Sequence, residues 1–98
     1  MLNSCKRFYQ FGKSIGNPTR FRILELLRQK PMPVNSIVRR LHLSQPAVSQ
    51  HLRLLRENNI VEDVKRGQEV YYSVNYDHLG RILRELLDDF PKDGVEAR

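Results

Sequence analysis

The stretch Val34-Asn-Ser-Ile-Val-Arg-Arg-Leu-His-Leu-Ser-Gln-Pro-Ala-Val-Ser-Gln-His-Leu-Arg-Leu-Leu55 decides the fold. In its first part Val34, Ile37, Val38 and Leu41 fall at i, i+3, i+4 and i+7, one face of a short amphipathic helix. Leu41-His42-Leu43 leaves room only for a tight turn. Ser44 then offers a hydroxyl as N-cap. Gln45 and Pro46 occupy the first two helical positions, where proline is tolerated because its missing N–H would have found no intrahelical partner. Ala47, Val48, His51, Leu52 and Leu55 form the inner face of this second helix, which is predicted to stop near Asn58-Asn59.

Outward from this pair, the period changes to two. Ile60, Glu62 and Val64 alternate with Val61, Asp63 and Lys65, and Val70, Tyr72 and Val74 alternate with Tyr71 and Ser73. The polar run Lys65-Arg66-Gly67-Gln68-Glu69 lies between them, so the segment reads as a β-hairpin with a basic tip. Upstream, Asn17-Pro18 is a strong helix start. Phe21, Ile23, Leu24, Leu26 and Leu27 follow at helical spacing, and the helix is expected to end near Lys30, ahead of Pro31 and Pro33. Residues 2–15 read as an N-terminal helix with Phe8, Tyr9, Phe11 and Ile15 apolar, weakened by Gly12. The final helix carries Leu79, Ile82, Leu83, Leu86, Leu87 and Phe90. That apolar stripe is wide enough to need cover from both the domain core and a second copy of the chain. The predicted fold class is α+β, mainly helical: a winged helix-turn-helix with a two-stranded β-hairpin wing, dimerising through the first and last helices. Residues 1–90 form the one domain expected, and 91–98 a flexible tail.

Length and charge support this. A chain of 98 residues is one domain with a modest core, for which pairing is a common remedy. The formal charge is +6, but it is unevenly spread. Residues 1–56 hold eleven Lys/Arg against one acidic residue, Glu25; residues 57–98 hold six against ten. A polycationic first half points to a polyanionic partner.

The second helix of such a pair is slim enough to enter the major groove of DNA. Gln45, Ser49 and Gln50 lie away from Val48, Leu52 and Leu55 on the helical wheel. Gln can pair bidentately with adenine, and Ser can donate to or accept from several bases. Arg53 and Arg56, with Arg39 and Arg40 from the preceding helix, are placed to neutralise phosphates, and Arg20 and Arg22 to add to them. Lys65 and Arg66 at the hairpin tip can reach a minor groove or phosphates.

Three segments together resemble the ArsR/SmtB family of bacterial and archaeal repressors: Asn17-Pro-Thr-Arg-Phe-Arg-Ile-Leu-Glu-Leu-Leu27, Ser44-Gln-Pro-Ala-Val-Ser-Gln-His-Leu-Arg-Leu-Leu-Arg-Glu-Asn-Asn-Ile-Val61, and Arg66-Gly-Gln-Glu-Val-Tyr-Tyr-Ser-Val74. The resemblance covers roughly residues 6–90. It implies a sequence-specific homodimeric repressor on a palindromic operator in double-stranded DNA, released when an effector binds. It also implies that Gln45, Ser49, Gln50 and His51 lie at the DNA face, with Ser44, Pro46 and Ala47 in the same turn. Phe8, Tyr9, Phe11, Leu79, Ile82, Leu83, Leu86 and Leu87 are the expected dimer seam.

The metal-sensing patterns of that family are missing. A Cys-x-Cys site on the helix before the recognition helix would fall within about Val34–Leu41, which contains no Cys or His. The last-helix site needs Asp-x-His and a later His; here Asp77 and His78 are adjacent, residue 79 is Leu, and no His follows. No metal and no cofactor are expected. The single cysteine, Cys5, allows no internal disulfide; it reads as inert, with a redox role open through an intermolecular pair. His42 reads as a turn residue, and His78 as part of an N-terminal cap beside Asp77. No Gly-rich phosphate loop or nucleophile elbow accompanies the Ser, His and Asp residues, so no enzyme is expected. No signal peptide or membrane-length apolar run is apparent, which reads as cytoplasmic. Two rival readings stand beside the repressor: a constitutive DNA-binding factor without inducer, and a winged-helix protein–protein interaction module.

Overall fold

The computed structural model describes residues 3–89, with side chains described from Lys6 onward. The order is α1 (Asn3–Ile15), α2 (Pro18–Gln29), β1 (Met32–Pro33), α3 (Val34–Leu41), α4 (Gln45–Glu57), β2 (Val61–Arg66), β3 (Glu69–Val74) and α5 (Tyr76–Asp89). The expected tail, Phe90 and the side chain of Cys5 lie outside the described residues. No helix among the described residues is long and apolar enough to cross a membrane.

Local chemistry sets the helix boundaries. The Asn17 side chain accepts the Arg20 N–H at 3.1 Å and Pro18 opens α2. The Ser44 hydroxyl accepts the Ala47 N–H at 3.3 Å and starts α4. Between α3 and α4 the chain reverses at His42, whose φ of 56° and ψ of 43° place a non-glycine residue in the left-handed region. Its N–H closes α3 onto the Val38 carbonyl. The end of α4 is a Schellman motif built on Asn59 (φ 60°): Asn59 N–H donates to the Arg56 carbonyl at 3.0 Å and Ile60 N–H to the Leu55 carbonyl at 2.9 Å. Ile60 and Leu55, both fully buried, supply the apolar contact that accompanies this motif.

The core gathers one face from each central element: Ile23 and Leu27 of α2, Ile37 and Leu41 of α3, Val48, Leu52 and Leu55 of α4, with Met32, Ile60 and Val61. Phe21 is half exposed. At about 100° per residue it sits some 200° around α2 from Ile23, on the outer side.

Among the described residues the sheet has three strands, not the two expected, in the order β1-β3-β2, all antiparallel. Met32 pairs with Tyr72 and Pro33 with Tyr71. A two-residue strand preceded by Pro31 carries no alternation to read, and Pro33 within it, lacking an N–H, suits an edge. The hairpin turns on Gly67 and Gln68, with Arg66 opposite Glu69. Gly67 has φ 61°, as the first central residue of a type II′ turn requires. Beyond Val61 strand β2 is exposed while Tyr72 and Val74 of β3 still pack against the core, and Val64 and Val70 are exposed on the wing.

Helix α5 begins at Tyr76, two residues earlier than the Asp77-His78 reading implies. Asn75 is its cap, accepting the His78 N–H at 3.1 Å. The helix packs on α1, and the Arg7–Glu85 ion pair joins them.

Candidate nucleic-acid interface

Because Val48, Leu52 and Leu55 anchor α4 in the core, its opposite face is committed to solvent. Gln45, Gln50 and Arg53 are exposed there and Ser49 is half-buried. Gln45 and Ser49 lie one turn apart, and Gln45 Nε2 donates to Ser49 Oγ at 2.8 Å. That bond uses one of the two amide hydrogens. The other, with Oε1, still forms the donor–acceptor pair that matches adenine's N7 and N6. Ser49 retains its own hydroxyl proton. The pair therefore presents a partly preorganised reading surface. Pro46 is exposed beside it and Ala47 half-buried.

The turn end of the wing faces the same groove as the start of α4. Val34, Asn35, Gln45, Gln68, Glu69 and Val70 line a shallow groove of about 210 Å³. Asn35 and Gln68 are not among the candidates from the sequence, because a single polar residue in a helix or a turn carries no signal of its own. On the other side of Pro33 lies an open cleft of about 500 Å³, where Lys30, Arg39, Arg40 and Tyr71 meet Glu69. Lys30 joins Arg39 and Arg40 because β1, which follows it in the chain, packs on α3.

The other cations are placed unequally. Lys65 and Arg66 are neighbours on β2, so their side chains leave opposite faces of the hairpin. The Arg66 guanidinium stacks on the Tyr71 ring, 5.1 Å from its centroid. Arg53 pairs with Glu57 at 3.3 Å on the surface, an exposed contact worth little, so the arginine can be given up to a phosphate. Arg56 reaches Asp63 at 3.9 Å.

His51 is half-buried, and its Nδ1 lies 3.4 Å from Arg20 Nη1. Burial, and then the Arg20 charge, push its pKa below the ordinary 6.5. A guanidinium only donates, so Nδ1 accepts and the imidazole proton sits on Nε2. Both effects favour the neutral imidazole, and the Arg20 side chain turns to the end of α1 and to His51.

The expected dimer seam divides in two. Ile82 is buried within the protomer, and Phe11 and Leu79 pack against its core. Tyr9, Leu83 and Leu87 remain 56%, 47% and 61% exposed, while Phe8 and Leu86 are half-buried. Among the described residues no three His, Cys, Asp or Glu side chains converge as metal ligands would.

Residues 17–63 match the family model described as the bacterial regulatory protein arsR family. The transcriptional repressor SdpR of Bacillus subtilis is 38% identical over 63 residues, covering 64% of this chain and 70% of that protein. The nodulation protein NolR of Rhizobium meliloti is 37% identical over 83 residues, covering 85% of this chain and 68% of NolR. The chain belongs to the ArsR family. It is therefore a DNA-binding transcriptional regulator, and the α3–α4 pair with its hairpin is the winged helix-turn-helix of that family. A solution structure of a homodimeric winged helix-turn-helix DNA-binding domain from Mycobacterium bovis superposes with a TM-score of 0.72 at 25% identity, covering 87% of this chain and 81% of that one. The regulator's exposed Tyr9, Leu83 and Leu87 are the apolar residues such pairing would cover.

Proposed function

We propose that this regulator is a homodimeric repressor that lays α4 of each protomer into successive major grooves of a palindromic operator. The observation that carries this is the reading surface of α4: Gln45, joined to Ser49 at 2.8 Å, lines a groove shared with the wing. Gln50 and the Ser44-Gln45-Pro46-Ala47 turn complete the base-facing set. Arg39, Arg40, Arg53 and Lys65, all exposed, with Arg66, supply phosphate contacts. Half-sites about 34–36 Å apart match two grooves on one face of the duplex. The name of SdpR, a transcriptional repressor, supports repression. An effector that binds one shape of the dimer more tightly than the other would release the DNA.

The test is fluorescence anisotropy on the duplex upstream of the regulator's own gene, against a scrambled duplex, across a salt series. With about five phosphate contacts per protomer, log K should fall with log salt at a slope of about −9. Gln45→Ala should cost about 1–3 kcal/mol on the native duplex and leave that slope unchanged. Equal affinity for both duplexes would remove sequence-specific regulation as the function.

A further inference from the structure

We infer that Arg20 is a positioning residue, which together with Ser14 and Asn58 fixes the reading helix against the dimerisation helix; this rests on the proposed DNA-binding dimer. The motif Asn17-Pro18-Thr19-Arg20 does two jobs. Its first residue caps α2 through the Arg20 backbone N–H. The Arg20 side chain then folds back over the end of α1: Nε donates to the Ser14 carbonyl at 2.5 Å and Nη2 to the Lys13 carbonyl at 3.5 Å. Those carbonyls belong to the last turn of α1, where intrahelical donors run out and the helix dipole favours a cation. The remaining nitrogen, Nη1, donates to His51 Nδ1 at 3.4 Å. All three guanidinium nitrogens are engaged inside the protomer.

A second tie runs alongside. Ser14 is buried (5% exposed), and its hydroxyl accepts Asn58 Nδ2 at 2.7 Å. Asn58 is the C-cap of α4 and donates also to the Leu54 carbonyl at 3.1 Å. The end of α1 thus holds α4 at its middle, through His51, and at its C-terminus, through Asn58. Seven residues of helix separate these points, about 10 Å along the axis. Two anchors that far apart constrain the direction of α4, not only its distance. Since α1 lies in the proposed seam, its angle to α4 sets the separation of the two reading helices in the dimer. One base-pair step is about 3.4 Å, so a small change in that angle moves a helix out of register with its half-site.

The experiment uses the full chain and an operator selected from random duplexes, rebuilt with its half-sites moved by one and two base pairs. Arg20→Met, Ser14→Ala and, as a neighbouring-cation control, Arg22→Met are titrated on each duplex, with a salt series on the parent. The expected result is that Arg20→Met and Ser14→Ala lower discrimination between the parent and shifted spacings about tenfold and keep the parental salt slope. Arg20→Lys should restore part of the discrimination. A slope shallower by about 2, one phosphate per protomer, with the spacing profile intact would make Arg20 a DNA contact and overturn the inference. An equal loss on every spacing would reduce it to a stability residue, again overturning it. If the parent chain itself fails to distinguish its operator from scrambled DNA, the DNA-binding reading falls instead. Amide hydrogen exchange on the free protein then judges the tie: unchanged protection at the end of α1 and in α4 on Arg20→Met overturns it.

Discussion

Truncating Leu83 and Leu87 together should dissociate the dimer while leaving the protomer folded. Fully burying a leucine side chain is worth about 1.5–3 kcal/mol. These two retain 47% and 61% of their exposure in the protomer, so each has about 1 kcal/mol left to give at an interface. A two-fold seam uses each side chain twice. Removing both from both protomers therefore costs about 4 kcal/mol of association, or a factor of about a thousand in the dimer dissociation constant. Sedimentation equilibrium of Leu83→Ala/Leu87→Ala reads that constant directly, and circular dichroism at low concentration reads the protomer. Ile82→Ala is the contrasting variant. Ile82 is 4% exposed within the protomer, so its truncation should cost about 2–5 kcal/mol of folding stability. A double variant that still dimerises within tenfold of the parent would refute the α1–α5 seam.

Three further outcomes are expected. Ser44→Ala removes the acceptor for the Ala47 N–H and should lower stability by about 1 kcal/mol and weaken operator binding, as the first turn of α4 frays; an unchanged urea midpoint and affinity would count against the cap. His51 and His78 both titrate below 6.5, His51 through burial and Arg20, His78 through burial, Arg81 and Arg7 against the opposing Glu85. The unfolded chain binds the extra protons, so their contribution is complete above about pH 6.5 and is lost as pH falls through the lowered folded values; the urea midpoint of His51→Gln/His78→Gln should fall less between pH 7 and 5 than the parent's, and an identical fall would exclude these groups. Gly12 sits in α1 with open space where a Cβ would go, so Gly12→Ala should raise stability by about 0.5–1 kcal/mol; a loss of dimer instead would place a partner's backbone against it.

The helix-turn-helix was legible because its signals are short-range. Ser44, Pro46 and the spacing of Val48, Leu52 and Leu55 act over one or two turns, and the structure realises each of them. The hairpin was legible for the same reason. β1 was not: two residues offer no period, and they become a strand only because Tyr71 and Tyr72 arrive beside them. Among the candidate site residues, the face of α4 could be read from the wheel. The 2.8 Å link of Gln45 to Ser49, the stacking of Arg66 on Tyr71 and the assembly of Lys30 with Arg39 and Arg40 could not.

What the sequence by itself determined was therefore the list of elements, their caps, the reading face of α4 and an apolar stripe on α5 too wide for one partner. Capping and periodicity depend on neighbours a few residues away, so they survive without knowledge of the rest of the chain. Only the tertiary structure decided how that stripe divides, with Ile82 turned into the protomer and Leu83 and Leu87 outward, because the rotation of α5 is set by its packing against α1, some seventy residues earlier. It likewise decided that Arg20, one of eleven cations in the first half of the chain, points to the end of α1 and to His51 rather than to a phosphate. A long charged side chain reaches in many directions, and which partner it finds depends on contacts between segments that only folding brings together.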